Sequence, residues 1–314
     1  MLSMRVLLSL LAFASSSRAA FYTISDSYKG TDFLTGFIHE NITDPTHGRV
    51  TYVSQADALA KNLTYARGST LIIRTDDTTV LSADGPGRDS VRLRSNKMYT
   101  THVSIWNIHH MPQGCGTWPA VWEVGSVWPD YGEVDIVEGV NSKAPNQASF
   151  HTGAGKSLRR SLYRITETGG NNCDSKATNN TGCGVKDTRQ DSFGPSFNDG
   201  GGGFYAMERA QDGIRVWFWS RGAAIPWDVK YGLDIIETSA WGTPVAFWPS
   251  TMCDPSKLGP HWLVINLTLC GDWAGADDVY PVSGCPDTCI SFVDNNPSAF
   301  SQAYFEVEWA KVYE

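Results

Sequence analysis

The stretch Gly132-Glu133-Val134-Asp135-Ile136-Val137-Glu138-Gly139 sets three carboxylates among β-branched residues, with no base inside the run. On a β-strand alternate side chains share a face. Glu133 and Asp135 therefore point one way, and Val134 and Ile136 the other. Glu138 falls out of phase by one residue, and a single β-bulge near Ile136-Val137 returns it to the acid side. Two nearby carboxyls are the equipment of glycoside hydrolysis. One, ionised, attacks the sugar C1; the other donates a proton to the leaving oxygen and then acts as base toward water. A separation of roughly 5–5.5 Å marks the retaining form. With the bulge, the two glutamate backbones stand about 13 Å apart at roughly 3.3 Å per residue, so strand curvature and side-chain length must close the gap. Asp135 between them can hold a proton and steer the ionisation of Glu133. The competing reading is an amphipathic strand with three ordinary surface acids.

The surroundings decide between these readings. Trp118-Pro119-Ala120-Val121-Trp122 lies just upstream, and Trp128-Pro129-Asp130-Tyr131 leads into the acid strand. Glu-x-Asp-x-x-Glu after Trp-Pro-Ala-x-Trp resembles glycoside hydrolase family 16, and within it the fungal secreted laminarinases, endo-β-1,3(4)-glucanases. Matching segments include 44–50, 110–120, 132–141, His151-Thr-Gly153, 204–209 and Cys270-Gly-Asp-Trp-Ala-Gly275, so the resemblance runs from near residue 21 to the C-terminus. It implies an all-β jelly roll of two antiparallel sheets with a concave substrate cleft. It also implies that Glu133 is the nucleophile, Glu138 the acid/base and Asp135 their helper. Trp118, Trp122 and Trp273 resemble sugar-contacting positions, and His151 a contact to substrate or nucleophile. His47, His109 and His110 are read as structural. The activity implied is retaining endo-hydrolysis of β-1,3 and mixed β-1,3/1,4 glucans. A transglycosylase could use the same glutamate pair. A non-catalytic glycan-binding sandwich is a third possibility, from another class, but it would usually have lost one of the acids. No Gly-x-Ser-x-Gly elbow is present, and neither a cofactor nor a metal is expected.

Composition sets outer bounds. The chain has 314 residues and a formal charge of −8. That balance argues against nucleic acid or an anionic membrane as partner and suits a neutral polysaccharide. Residues 1–19 read as a signal peptide: Arg5, an apolar run from Val6 to Ala14, then small residues to Ala19. Residues 20–314 are expected to form one secreted, monomeric catalytic domain. Twelve tryptophans are too many for a core alone, and about half should be structural while others line a cleft. Seven cysteines fit an oxidising compartment and leave at least one unpaired. Cys173 and Cys183 could close a short loop, and Cys285 and Cys289 are close in sequence, but spacing does not fix connectivity. Of the sequons, Asn179 and Asn62 are the expected glycan sites, whereas Asn266 sits in a strand that reads as buried. Short strands are expected at 70–74, 91–95, 101–108, 121–124, 133–138, 262–269 and 304–313. A hairpin should join 204–209 to 214–219 through 210–213, where Asp212-Gly213 supplies turn residues, one or two helical turns fit 56–63, and 153–203 reads as loops.

Overall fold

The computed structural model describes residues 20–154, 172–251, 255 and 258–314. The expected signal peptide and Cys253 lie outside them. Eighteen strands follow in chain order. β1 (Phe21–Tyr28), β2 (Phe37–His39), β3 (Val50–Tyr52), β4 (Thr64–Arg67), β5 (Thr70–Arg74) and β6 (Arg88–Ser90) come first. β7 (Arg92–Tyr99), β8 (His102–His110), β9 (Thr117–Gly125), β10 (Glu133–Glu138), β11 (Gln147–His151) and β12 (Cys183–Lys186) follow. β13 (Gly203–Ala210), β14 (Gly213–Ser220), β15 (Ile235–Glu237), β16 (Ala246–Pro249), β17 (His261–Leu269) and β18 (Tyr304–Tyr313) complete the set.

Seven strands form one antiparallel sheet in the order β12-β11-β10-β9-β17-β7-β2. Nine form the other, running β15-β1-β18-β8-β13-β14-β16, with β5 beside β18 and β4 beside β5. A small parallel pair, β3 with β6, stands apart from both. The sheets pack face to face. Val121, Val134, Ile136, Leu263 and Ile265 of the seven-stranded sheet meet Trp106, Ile108, Met207, Val216 and Phe305 of the nine-stranded one. This burial is the main stabilising term, at roughly 25 cal/mol per Å² of apolar surface. A second cluster covers the outer face of the nine-stranded sheet and contains Phe204, Trp217, Trp219, Trp241 and Trp309. Six of the twelve tryptophans (Trp106, Trp217, Trp219, Trp241, Trp248 and Trp309) are therefore buried core.

One local expectation changes. The stretch 153–203 is not all loop, because it contains β12, which completes the acid-bearing sheet, and the helix Gly194–Asp199. The hairpin turn falls inside the expected 210–213, with Gln211-Asp212 at its centre and Ala210 paired with Gly213. Cys285 and Cys289, four apart, bond different partners. The disulfides are Cys115–Cys285, Cys173–Cys183 and Cys270–Cys289. The two involving Cys285 and Cys289 staple a satellite core that includes Leu267, Leu269, Tyr280 and Val293, beneath the segment that carries Trp273. The helix expected near 56–63 is present as Gln55–Ala60, capped by the Ser54 side chain on the Asp57 N–H.

Candidate active site

The acids lie where their strand needs them. Gly132 leads into β10 with φ of 85°, a left-handed conformation natural to glycine. On β10, Glu133 pairs with Val124, Asp135 with Trp122, Val137 with Val121 and Glu138 with Ala120, with a register shift between Asp135 and Val137. Ile136 is thus the extra residue of a bulge. Val134, Ile136 and Val137 all enter the inter-sheet core, while Glu133, Asp135 and Glu138 share the opposite face. The bulge is held by a side chain: the Asn146 carboxamide accepts from the Glu138 N–H at 2.9 Å and donates to the Ile136 carbonyl at 3.0 Å.

The neighbouring strands bring in the other candidates. His151 is directly opposite Glu133 on β11, and its Nε2 lies 3.3 Å from Asp135 Oδ2 and 4.0 Å from Glu133 Oε1. Trp118 and Trp122 face the acids from β9. The Trp118 indole N–H donates to Glu138 Oε1 at 3.0 Å. Trp273, on the short helix Gly271–Ala274, meets the Trp118 ring edge-on with centroids 5.6 Å apart. The Trp122 indole donates to Asn266 Oδ1 at 2.7 Å, and the Arg92 guanidinium lies 4.8 Å over its ring. All seven residues expected from sequence therefore gather around one face of one sheet.

Burial dominates the electrostatics. The side chain of Glu133 keeps 17% of its surface exposed and that of Asp135 only 4%. Desolvation pushes Glu133 up to about 8; the charge on Asp135 adds to this, and His151 opposes it. Glu138 is also pushed up to about 8, first by burial and then by Asp135, with His151 and the Trp118 N–H opposing. Asp135 reaches about 8 through burial alone. Near neutral pH such a cluster retains protons, because each ionisation makes the next harder. Arg92 favours charge on Glu133 as well, so Glu133 has a cation that Glu138 lacks. Glu133, Asp135 and His151 also place ligand atoms within 4.8 Å of one another, a spacing a small cation could bridge.

Several residues of this face escaped the sequence reading. Trp262, opposite Val124 on β17, lies under the Arg94 guanidinium at 4.1 Å. Glu40 ties Arg92 and Arg94 together at 2.7 and 2.5 Å. The even spacing of Trp262, Val264 and Asn266 was the available signal, but the apolar run masked it. Asn146 carried no signal at all, because its partners are main-chain atoms.

A jelly-roll sandwich with clustered acids and aromatic rings on one outer face defines a carbohydrate-active β-sandwich, and comparison with known proteins narrows the class. The family model described as XgeA-like, catalytic GH16 domain, matches residues 37–313. Laminarinase 16A from Phanerochaete chrysosporium, solved with 6-O-glucosyl-laminaritriose in donor and acceptor sites, is 52% identical with a TM-score of 0.92. The alignment covers 94% of this chain and 100% of that one. An elongating family 16 β-1,3-glucosyltransferase is 37% identical at a TM-score of 0.87, covering 93% and 100%. A probable endo-1,3(4)-β-glucanase of Aspergillus niger is 38% identical over 308 residues, 94% of this chain, and the chain spans 40% of that protein's length. This chain belongs to glycoside hydrolase family 16.

Proposed function

We propose that the chain is a retaining endo-β-glucanase that cleaves internal β-1,3 and mixed β-1,3/1,4 bonds of laminarin-like glucans. One observation carries the reading: the bulge at Ile136 returns Glu138 to the face of Glu133 and Asp135. Glu133 attacks C1 of the sugar and forms a glycosyl-enzyme. Glu138, holding the proton that burial and Asp135 keep on it, donates to the departing glycosidic oxygen. It then takes a proton from the water that releases the sugar. Asp135 raises the proton affinity of both glutamates; His151 offsets this at both, and Arg92 at Glu133 alone. Trp118, Trp122, Trp262 and Trp273 offer half-buried ring faces to pyranose units. Trp118 also fixes the Glu138 carboxyl through its N–H.

The substrate class follows the family and the relatives named above. A chain with this N-terminus is exported through its first 19 residues and works as a monomer outside the cell. No helix among the described residues is long and apolar enough to cross a membrane. Asn62 and Asn179 are exposed, at positive φ of 54° and 50°, and carry the N-glycans. Asn266 is buried and bonded to Trp122 and the Tyr52 hydroxyl, so it carries none.

Glu133→Gln should reduce laminarin hydrolysis by about 10³-fold or more while oligosaccharide binding stays near wild type. Near-normal turnover in that variant contradicts the assignment. A second reading is glycosyl transfer, favoured by the likeness to the glucosyltransferase. Sizing products with an oligosaccharide acceptor separates the two: longer products mean transfer and shorter ones hydrolysis.

A further inference from the structure

We infer that Asn146 is a positioning residue for the proton donor, acting through the backbone of the bulge. The inference rests on the assignment of Glu138 as acid/base. A bulge leaves its extra residue out of the ladder and its main-chain groups without strand partners. Here Ile136 is that residue, and Glu138 follows two positions later. β11 pairs with β10 only as far as Asp135, and beyond that point Asn146 supplies both missing partners from one planar group, an acceptor for the Glu138 N–H and a donor for the Ile136 carbonyl. The pairing also fixes which end of the carboxamide is oxygen, since an N–H needs an acceptor and a carbonyl needs a donor. Asn146 is 2% exposed, so water does not compete for these bonds.

The clamp is itself anchored. The Asn146 N–H donates to Ser192 Oγ at 2.9 Å, and the Asn146 carbonyl accepts from the Asp187 N–H at 2.8 Å. Ser192 Oγ in turn donates to the Arg189 carbonyl at 2.6 Å. The Ser192 carbonyl accepts from the hydroxyl of Tyr205 on β13. Arg189 grips Asp187 through two nitrogens and donates to the Phe218 carbonyl of β14 at 2.8 Å. The kink that aims Glu138 is therefore referenced to the opposite, nine-stranded sheet. Aspartate at 146 keeps the acceptor but sets an oxygen against the Ile136 carbonyl. Alanine removes both bonds.

Proton donation matters only when the leaving group needs it, and this gives a readout that a merely structural role does not move. The test compares kcat/KM on laminarin with kcat/KM on a dinitrophenyl β-laminaribioside, whose phenolate departs without a proton. In Asn146→Ala the laminarin value should fall about 10–100-fold, within the range that general acid catalysis supplies. The aryl value should stay within about twofold. Ser192→Ala, which keeps the Asn146 side chain but loosens its anchor, should show the same pattern at smaller size, so a misfolded Asn146→Ala leaves the test intact. Equal losses on both substrates, or no loss on either, overturn the inference. Glu138→Gln serves as the benchmark. If it spares neither substrate while Asn146→Ala behaves as wild type, the role of Asn146 fails. If the wild-type enzyme cleaves neither substrate, the glucanase reading fails instead.

Discussion

Buried carboxylates stand on both faces of the seven-stranded sheet. On its outer face are Glu133, Asp135 and Glu138 of β10; on its inner face, between the sheets, stands Glu123 of β9, fully buried and directly opposite Val134 of the acid strand. Burial raises the pKa of both sets, but the outcomes differ in sign. Glu123 has His102 Nε2 at 3.0 Å and the Ser104 hydroxyl at 2.8 Å. The charge and hydrogen bond of His102, with the Ser104 hydroxyl, outweigh desolvation and hold it below the ordinary glutamate value. The outer acids have one indole N–H, a histidine outside hydrogen-bond geometry and each other, and they end near 8. Donors, not depth, separate a structural carboxylate from a reactive one.

The largest way to break this contrast is Glu138→Gln. It should abolish hydrolysis of natural glucan, by about 10²–10⁴-fold, in steady-state assays on laminarin. Next is His102→Ala, which strands the Glu123 charge in the core. Breaking a buried pair from one side costs roughly 3–5 kcal/mol, and denaturant unfolding should show it with the active-site acids untouched.

The two faces also set opposite pH dependences of stability. Raised carboxyls bind more protons in the folded chain than in the unfolded one. The stability they contribute is present below about 4.5 and lost as pH rises toward about 8. Glu123 is lowered, so its contribution is present above its ordinary value and lost as pH falls. Thermal midpoints measured across pH should decline on the alkaline side in the wild type, and the decline should flatten in Glu138→Gln. The acid-side decline should persist in that variant.

Smaller effects fall on the pH–rate profile. Asp135→Asn removes the charge that raises Glu138, so the alkaline limb of kcat/KM should move to lower pH. Trp118→Phe keeps the ring but deletes the N–H that lowers Glu138, so the same limb should move to higher pH. Shifts in a common direction contradict the assigned electrostatics.

The acid strand and its kink were legible in sequence because strand periodicity is strict: Glu138 breaks phase, and only an inserted residue repairs it. Tryptophans four apart announced their shared face for the same reason. Partners that depend on non-local register were not legible. His151 reaches Glu133 through the β10–β11 pairing, and its place came from family likeness rather than spacing. Trp262 looked like core because it opens an apolar strand, and only the Arg94 guanidinium over its ring reveals its other face. Disulfide partners 170 residues apart, such as Cys115 and Cys285, leave no local trace.

The most direct test of the central claim is to trap the intermediate. A 2-deoxy-2-fluoro laminaribiosyl fluoride forms the glycosyl-enzyme quickly and releases it slowly, and peptide mass spectrometry then locates the sugar. The account predicts one added disaccharide, esterified to Glu133. A label on Glu138 or Asp135, or none on an enzyme that turns over laminarin, would contradict it.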